Sequence, residues 1–285
     1  EIKEAYYAFS HLGCREQMWD IEGKEADDYV VRKLLTRYED YFRKHILGKD
    51  RFLTLRVPNP SVEKEEAKVL IETLESIPRS FDVARKFYDG ESAAPVFEVI
   101  LPMTSSAKEL GMVYSYYRDF VAGKERKRLN GLTIGEWIGS FDPDTIMVTP
   151  LIEAKEHLLN SADIMKEYLQ GKDLDYQRVF LARSDPALNY SSLAAVLMNK
   201  VALQRLFDLE QEIGTELLPI IGVGSCPFRG NLRPDNAAKL VAGYPSVWTF
   251  TIQSAFKYDY DEAMVRQGIS HLNEASRGKP LPVDE

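Results

Sequence analysis

The segment RVFLARSDPALNY, residues 178–190, begins as an apolar strand and ends with Arg183 and Asp185 two positions apart. Ser-Asp-Pro is also a common turn composition, so turn chemistry is one explanation. A second carboxylate, Glu153, ends an earlier apolar run in PLIE. Magnesium commonly takes one or two carboxylates together with water and substrate oxygens. Glu153 and Asp185 are therefore candidate ligands of one Mg²⁺ or Mn²⁺ ion. The alternative for each is a surface acid paired with a lysine.

A glycine-rich loop follows another apolar run at residues 222–230. Its glycines would let backbone N–H groups approach an anion, so Gly224, Ser225 and Arg229 are candidate substrate-binding residues. No Gly-Lys-Ser/Thr ends the loop, so it is not a nucleotide-binding P-loop, and an ordinary tight turn is the alternative. Fork-shaped donors for phosphate or carboxylate come from four arginines: Arg56, Arg183, Arg229 and Arg233. A metal with several arginines predicts a site for a small polyanion, with Arg56, Arg183 and Arg229 as catalytic candidates.

One histidine is a further catalytic candidate. His11 lies in FSHLGCREQMWD, close in sequence to Arg15, Trp19 and Asp20. The other three histidines lie in helical patterns, and none is spaced with a second ligand as in a metal site. No Gly-x-Ser-x-Gly motif supports a serine hydrolase.

Six short apolar runs are the elements expected to position these residues. Their near-continuous apolar character is typical of strands buried on both faces. The predicted strands are FLTLRV (52–57), PVFEVILPM (95–103), TIMVTPLI (145–152), RVFLA (178–182), LLPIIGVG (217–224) and SVWTFTI (246–252). Helical patterns lie between them. One, residues 62–77, is expected to end at Pro78, and another carries an apolar face made of Leu193, Val196, Leu197 and Val201.

This alternation of strands and helices predicts an α/β fold with a parallel sheet, either doubly wound or a barrel. Acids, arginines and hydroxyls follow the predicted strands, and such folds place their ligand sites at the carboxyl ends of strands. We find no internal repeat, low-complexity tract or Gly/Ser linker. One domain over residues 1–285 is therefore predicted.

The composition excludes several classes of protein. Hydrophobic residues make up 45% and charged residues 28% of the chain, as in soluble globular proteins. A formal net charge of −8 argues against nucleic-acid binding, and no apolar run approaches the roughly 20 residues of a membrane span. Two cysteines, Cys14 and Cys226, are too few for a disulfide framework. They are predicted to be free thiols in a cytoplasmic protein.

Several long strings resemble the archaeal-type phosphoenolpyruvate carboxylases. They are EAYYAFSHLGCREQMWD, LTLRVPNP, VFEVILPMTSSAKEL, RVFLARSDPALNY, GVGSCPFRGNLRPDN and FTIQSAFKYDY, and together they extend along almost the whole chain. More faintly, SDPA resembles the Ser-Asp-Ser-Ala metal motif of the larger bacterial and plant carboxylases, and PLIE resembles their Pro-Leu-Phe-Glu.

The resemblance implies an α/β barrel of the TIM type that converts phosphoenolpyruvate and bicarbonate into oxaloacetate and phosphate. The implied cofactor is Mg²⁺ or Mn²⁺, and the family is commonly homotetrameric. Asp185 and Glu153 match its acidic metal ligands. Arg229 matches a region that supplies arginines to phosphate, and Arg56 matches a substrate-side arginine.

The chain also departs from the family pattern. The family's catalytic histidine precedes a proline near the N-terminus, and none of the four histidines here does. Six strands are predicted where a closed barrel of this type needs eight, and family chains are considerably longer. We therefore expect an incomplete barrel that lacks an N-terminal segment and a C-terminal region. Two alternatives remain: a non-catalytic fragment, and another magnesium-dependent lyase that acts on phosphoenolpyruvate or pyruvate.

Overall fold

The computed structural model describes residues 1–21, 29–90 and 93–283. By the density of internal contacts, the chain divides into two compact units. Unit 1 comprises Glu1–Pro102 and Glu109–Val148, and unit 2 comprises Met103–Lys108 and Thr149–Glu285. The single domain expected over 1–285, whose last two residues lie outside the described residues, stays a prediction.

Three parallel strands form the sheet of unit 1 within its described residues: β1 (Glu16–Asp20), β2 (Phe52–Arg56) and β3 (Glu98–Leu101). The register places Asp20 beside Arg56 and Arg56 beside Ile100, so the carboxyl ends of the three strands are aligned. A short antiparallel hairpin, β4 (Arg128–Leu129) and β5 (Leu132–Thr133), turns at Asn130 and Gly131. Both turn residues have positive φ, as a two-residue hairpin turn requires.

Helices alternate with these strands. The α-helices are α1 (Ile2–Tyr7), α2 (Val30–Arg37), α3 (Glu39–Phe42), α4 (Ala67–Phe87), α5 (Ala107–Tyr116) and α6 (Ile134–Ile138). Shorter π and 3₁₀ segments cover Ala8–Leu12, Lys64–Glu66, Tyr117–Val121 and Ala122–Arg126.

Unit 2 repeats the strand–helix alternation. Its parallel strands are β6 (Met147–Ile152, which begins in unit 1), β7 (Tyr176–Leu181), β8 (Glu216–Ile221) and β9 (Thr249–Phe250). Each pairs with the next, and the register aligns Ile152 with Leu181, Leu181 with Ile221, and Ile221 with Phe250. The helices are α7 (Lys155–Leu159), α8 (Ser161–Leu169), α9 (Ser184–Tyr190), α10 (Ser192–Ile213), α11 (Ala237–Gly243), α12 (Ser254–Tyr258) and α13 (Glu262–Glu274), with 3₁₀ turns at Pro227–Arg229 and Pro234–Asn236.

The predicted α/β class is confirmed, and a strand occurs in each of the six apolar runs. The last run shrinks to the two residues of β9. Strand β1 was not predicted, because EQMWD contains only two apolar residues, Met18 and Trp19, and gives no continuous apolar run. The closed TIM-type barrel stays a prediction. Neither cysteine forms a disulfide bond, as predicted. Among the described residues, no helix combines the length and the apolar character that crossing a bilayer requires.

Helix α4 continues through Pro78, so the predicted end of the helix there is wrong. A proline inside a helix removes one backbone hydrogen bond and crowds the preceding turn, at a cost of about 3 kcal/mol. A buried stripe with a spacing of three to four residues passes through this position: Leu70, Leu74, Ile77, Phe81 and Ala84. Each large apolar side chain in it contributes roughly 1.5–3 kcal/mol. The stripe therefore outweighs the proline.

Helix α10 forms as predicted, but two residues of its predicted apolar face are exposed. Leu193 is 69% exposed and Leu197 is 48% exposed. The face that packs against α8, α9 and β8 instead carries Ala195, Met198, Asn199, Ala202, Leu203 and Leu206. Apolar residues occupy two faces of this helix, so periodicity alone could not identify the inner one. Small alanines on the inner face allow the helix to approach its neighbours closely.

Candidate active site

The carboxyl ends of β6 and β7 bring two predicted metal ligands onto adjacent strand ends. Ile152 and Leu181 are register partners, and the Ala182 N–H donates to the Ile152 carbonyl at 2.9 Å. Glu153 directly follows β6, and Asp185 lies in the first turn of α9, the helix after β7. Parallel strands end at one edge of a sheet, so both side chains start from the same edge.

The two carboxylates differ in their surroundings. Glu153 is half-buried, whereas Asp185 is exposed and makes neither a hydrogen bond nor an ion pair with the rest of the described chain. Groups of three or more metal-binding side chains are absent from the described residues. Two carboxylate oxygens with open positions for water and substrate are a donor set that suits Mg²⁺. The residue types therefore suit the predicted ion, but Glu153 also has a partner within the chain, and the metal site stays a prediction.

Arg183, between these two carboxylates in sequence, is a buried cation. Its residue surface is only 6% exposed. Its Nη1 donates a hydrogen bond to the Tyr244 hydroxyl at 2.8 Å, and its Nε is buried without a partner. Among the described residues, no carboxylate lies within 4 Å of the guanidinium. Burial raises the pKa of Tyr244, and the nearby Arg183 opposes this rise without cancelling it. The phenol therefore stays neutral at physiological pH and does not compensate the charge of Arg183.

Asn199 of α10 holds the backbone that leads into Arg183. The Asn199 Nδ2 donates to the Ala182 carbonyl at 3.1 Å and to the Ala195 carbonyl at 2.9 Å. Asn199 is fully buried. This contact fixes the position at which the chain leaves β7 and turns into Arg183.

The glycine-rich loop after β8 folds back on itself. The Gly224 N–H donates to the Arg229 carbonyl at 2.7 Å, and the Leu232 N–H donates to the Gly224 carbonyl at 2.9 Å. The Gly224 N–H is therefore used inside the loop and does not point to a ligand. The Ser225 Oγ, by contrast, is buried without a hydrogen-bond partner. Ser225 keeps its donor capacity for a ligand, as its predicted binding role requires.

Arg229 is held by an amide. Its Nη1 donates to the Gln253 Oε1 at 2.9 Å, and its guanidinium lies 5.4 Å from the centre of the Phe228 ring. A Cβ at Gly224 would lie 2.5 Å from the same Gln253 oxygen, so a glycine is needed there for this arrangement. No carboxylate among the described residues pairs with Arg229. Its charge, like that of Arg183, is met only by a neutral group.

Arg56, at the carboxyl end of β2 in unit 1, has a different environment. Its Nε donates to Asp20 Oδ1 at 3.0 Å and its Nη2 donates to Asp20 Oδ2 at 2.6 Å. Asp20 is its register partner on β1. The two side chains are 26% and 31% exposed. The substrate-side role of Arg56 stays a prediction, and this guanidinium already has an anion.

His11 lies on the surface of unit 1, in the π-helical turn Ala8–Leu12. Its Nδ1 is 2.7 Å from the Ser10 Oγ, and its ring stacks on Tyr7 with the ring centres 4.9 Å apart. Tyr6 meets its edge at 5.9 Å. The catalytic role of His11 stays a prediction.

Three residues at the unit 2 strand ends were missed by the sequence analysis: Tyr244, Asn199 and Lys200. They come from α10 and from the residue after α11, far along the chain from the motifs that they support. A buried tyrosine in GYPS and an asparagine within an apolar helix carry no spacing signal. Gln253, which follows the last predicted strand, was visible as a polar residue in a site position.

The comparisons with known proteins concern the whole chain. A family model described as phosphoenolpyruvate carboxylase matches residues 1–285. The phosphoenolpyruvate carboxylase of Methanothermobacter thermautotrophicus is 60% identical over 285 residues, and that of Pyrococcus furiosus is 52% identical over 286 residues. All of this chain is matched, but it spans only 59% and 60% of the lengths of those relatives. A solved structure of citrate synthase SbnG covers 90% of this chain and is itself covered to 82%, with a TM-score of 0.43 and 14% identity.

Proposed function

The chain belongs to the phosphoenolpyruvate carboxylase family, and we propose that the complete protein forms oxaloacetate and phosphate from phosphoenolpyruvate and bicarbonate. One observation supports the assignment of the site more than any other. Two arginines at the strand ends of unit 2, Arg183 and Arg229, are held by neutral partners, while the unpaired carboxylate of Asp185 and the half-buried Glu153 occupy the adjacent strand ends. Uncompensated cations beside a pair of hard oxygen donors suit a phosphorylated carboxylate.

In the proposed reaction, an oxygen of bicarbonate attacks the phosphorus of phosphoenolpyruvate. A new P–O bond forms, and the P–O bond to the enol oxygen breaks, which leaves carboxyphosphate and the enolate of pyruvate. Carboxyphosphate then releases carbon dioxide and inorganic phosphate, and the enolate carbon bonds to the carbon dioxide to give oxaloacetate. Charge is conserved at each step, so no oxidant or reductant is needed.

The arginines act on the charge that moves during this sequence. A guanidinium donates two parallel hydrogen bonds to phosphate or carboxylate oxygens, which orients the transferring group. Arg229 and Ser225, in the loop after β8, would bind the phosphoryl oxygens. Because both arginines keep their full charge in the folded chain, no internal ion pair has to break before substrate binds.

Glu153 and Asp185 would hold a Mg²⁺ or Mn²⁺ ion. When bound, such an ion supplies positive charge that neutralises the developing enolate. The chain's own contribution is the placement of two carboxylates on neighbouring strand ends.

The remaining expectations belong to this proposal as well: a TIM-type barrel, a homotetramer when full length, a cytoplasmic location, a substrate-side Arg56 and a catalytic His11. Family membership supports the barrel, the homotetramer, the cytoplasmic location and the role of Arg56. The role of His11 has no such support, because His11 does not precede a proline, and it rests on the nearby Arg15, Trp19 and Asp20 in sequence.

The experiment that tests the function measures oxaloacetate formation from phosphoenolpyruvate and bicarbonate, coupled to malate dehydrogenase. We expect turnover by the complete protein, with dependence on both substrates and on a divalent metal. The 285 residues alone are expected to be inactive, because they contain no His-Pro segment. Turnover by these residues alone would contradict that expectation and would favour a catalytic role for His11. A complete protein that consumes phosphoenolpyruvate without bicarbonate would favour a different lyase.

A further inference from the structure

Arg183 is a buried cation whose counter-charge is missing from the described protein. The guanidinium cannot lose its proton under physiological conditions. A buried charge is retained in proteins when it is paired with an opposite charge or binds one. The contacts of Arg183 are a single hydrogen bond to a phenol and a buried Nε without a partner.

A second cation lies close to Tyr244. The Nζ of Lys200 lies 5.3 Å from the centre of the Tyr244 ring and donates to the Gly243 carbonyl at 3.1 Å. Lys200 also lacks a carboxylate within 4 Å among the described residues. Two cations therefore meet at one buried phenol, and the groups they contact are neutral.

The Tyr244 hydroxyl accepts its hydrogen bond from Arg183 and keeps its own proton. No acceptor for that proton occurs in the described chain. An anion bound next to Arg183 would satisfy both the unused guanidinium donors and this hydroxyl. Buried donors without acceptors are uncommon in native proteins, and the Arg183 Nε is one of them.

We propose that Arg183, Tyr244 and Lys200 form a subsite for a small oxyanion, in which Arg183 binds the anion and Tyr244 is the positioning residue that orients it. The ligand chemistry is a planar or tetrahedral group of oxygens that carries negative charge. Bicarbonate and phosphoenolpyruvate both supply such a group. The identity of the anion rests on the proposed function, whereas the presence of the subsite does not.

The kinetic test is Tyr244→Phe in the complete protein. This variant removes the hydroxyl and keeps the ring. We expect KM for one of the two substrates to rise about tenfold, as for the loss of one hydrogen bond to a charged group, with kcat changed less than threefold. Varying phosphoenolpyruvate and bicarbonate separately identifies which substrate binds here.

Tyr258→Phe is the matched control, since this tyrosine is exposed and also lies near a lysine, with Lys257 at 5.1 Å. Its KM values are expected to stay within twofold of the unchanged protein. Unchanged KM values for both substrates in a folded Tyr244→Phe protein would overturn the proposal.

A binding test does not depend on activity. The thermal midpoint of the complete protein is measured against increasing inorganic phosphate and, separately, bicarbonate. Saturable stabilisation is expected, smaller in Tyr244→Phe and smaller still in Arg183→Met, with Arg183→Lys as a second variant that keeps the charge. If carboxylation is absent but this pattern appears, the proposed function is wrong and the subsite stands. If carboxylation is present and the variants are stabilised like the unchanged protein, the subsite is wrong and the function stands.

Discussion

The strand ends of both units carry arginines, but the arginine of unit 1 and the two arginines of unit 2 are held in opposite ways. Arg56 forms two hydrogen bonds with the carboxylate of Asp20 on the neighbouring strand. Arg183 is held by a phenol, and Arg229 by an amide. The acids follow the same division, since Asp20 is paired and Asp185 has no partner in the described chain.

This difference separates stabilising charge from charge available to a ligand. An arginine in a bidentate ion pair has its charge neutralised, and a ligand must compete with the carboxylate for it. An arginine held by a neutral oxygen is also oriented, and it remains fully charged. The site assignment in unit 2 therefore depends on the identity of the partner more than on the presence of an arginine.

The largest effect is expected at Asp185, the acid that has no partner in the described chain. Asp185→Asn in the complete protein should lower kcat by about a thousandfold, because loss of a metal ligand removes several kcal/mol of charge stabilisation. Mn²⁺ binding followed by electron paramagnetic resonance should weaken in parallel. Asp175→Asn is the control, because Asp175 directly precedes β7 and is also exposed. This variant should bind Mn²⁺ normally. Normal binding in Asp185→Asn would remove this residue from the metal site.

A smaller effect is expected at the glycine-rich loop. Arg229→Lys keeps the charge and loses the fork geometry. Each lost charge-assisted hydrogen bond contributes roughly 1.5–3 kcal/mol, so kcat/KM for phosphoenolpyruvate should fall about tenfold to a hundredfold. Arg266→Lys serves as the control, because Arg266 is an exposed residue of α13 and belongs to none of the candidate sites. A nearly normal kcat/KM in the Arg229 variant would show that this arginine is structural.

The smallest effects are expected in the free energy of unfolding, and they have opposite signs for variants in the two units. Asp20→Asn breaks a half-exposed ion pair and should lower the free energy of unfolding by about 1 kcal/mol. Arg183→Met removes a buried, unpaired charge and should raise it by about 1–2 kcal/mol while activity is lost. Denaturant unfolding of the complete protein measures both changes. A decrease in Arg183→Met as large as that in Asp20→Asn would end the distinction between the two strand ends.

Much of the fold could be predicted from the sequence, because strands buried on both faces leave continuous apolar runs. Strand β1 could not, since its two apolar residues, Met18 and Trp19, are too few to give such a run. Helix α4 continues through Pro78 because buried apolar residues lie on both sides of the proline. The inner face of α10 is set by the helices and the strand that it packs against. These are tertiary effects that local periodicity does not contain.

The sequence could predict the residue types of the candidate site but not the group that each side chain contacts. Arg183, Asp185, Glu153 and Arg229 follow strands, and the alignment of the strand ends made that position informative. Whether an arginine meets a carboxylate or a phenol is decided by residues distant in sequence. Tyr244 is 61 positions from Arg183, and no local pattern connects them.

The contact between Gly224 and Gln253 has a consequence for how this loop can evolve. A side chain at position 224 would occupy the space of the Gln253 oxygen, and the amide that holds Arg229 would be displaced. The effects of substitutions at the two positions should therefore not add, which is epistasis at a distance of 29 positions in sequence. Mutational paths are ordered as a result: a shorter residue at position 253 opens the space that a side chain at position 224 needs, whereas a side chain placed first at 224 pushes the Gln253 amide away from Arg229.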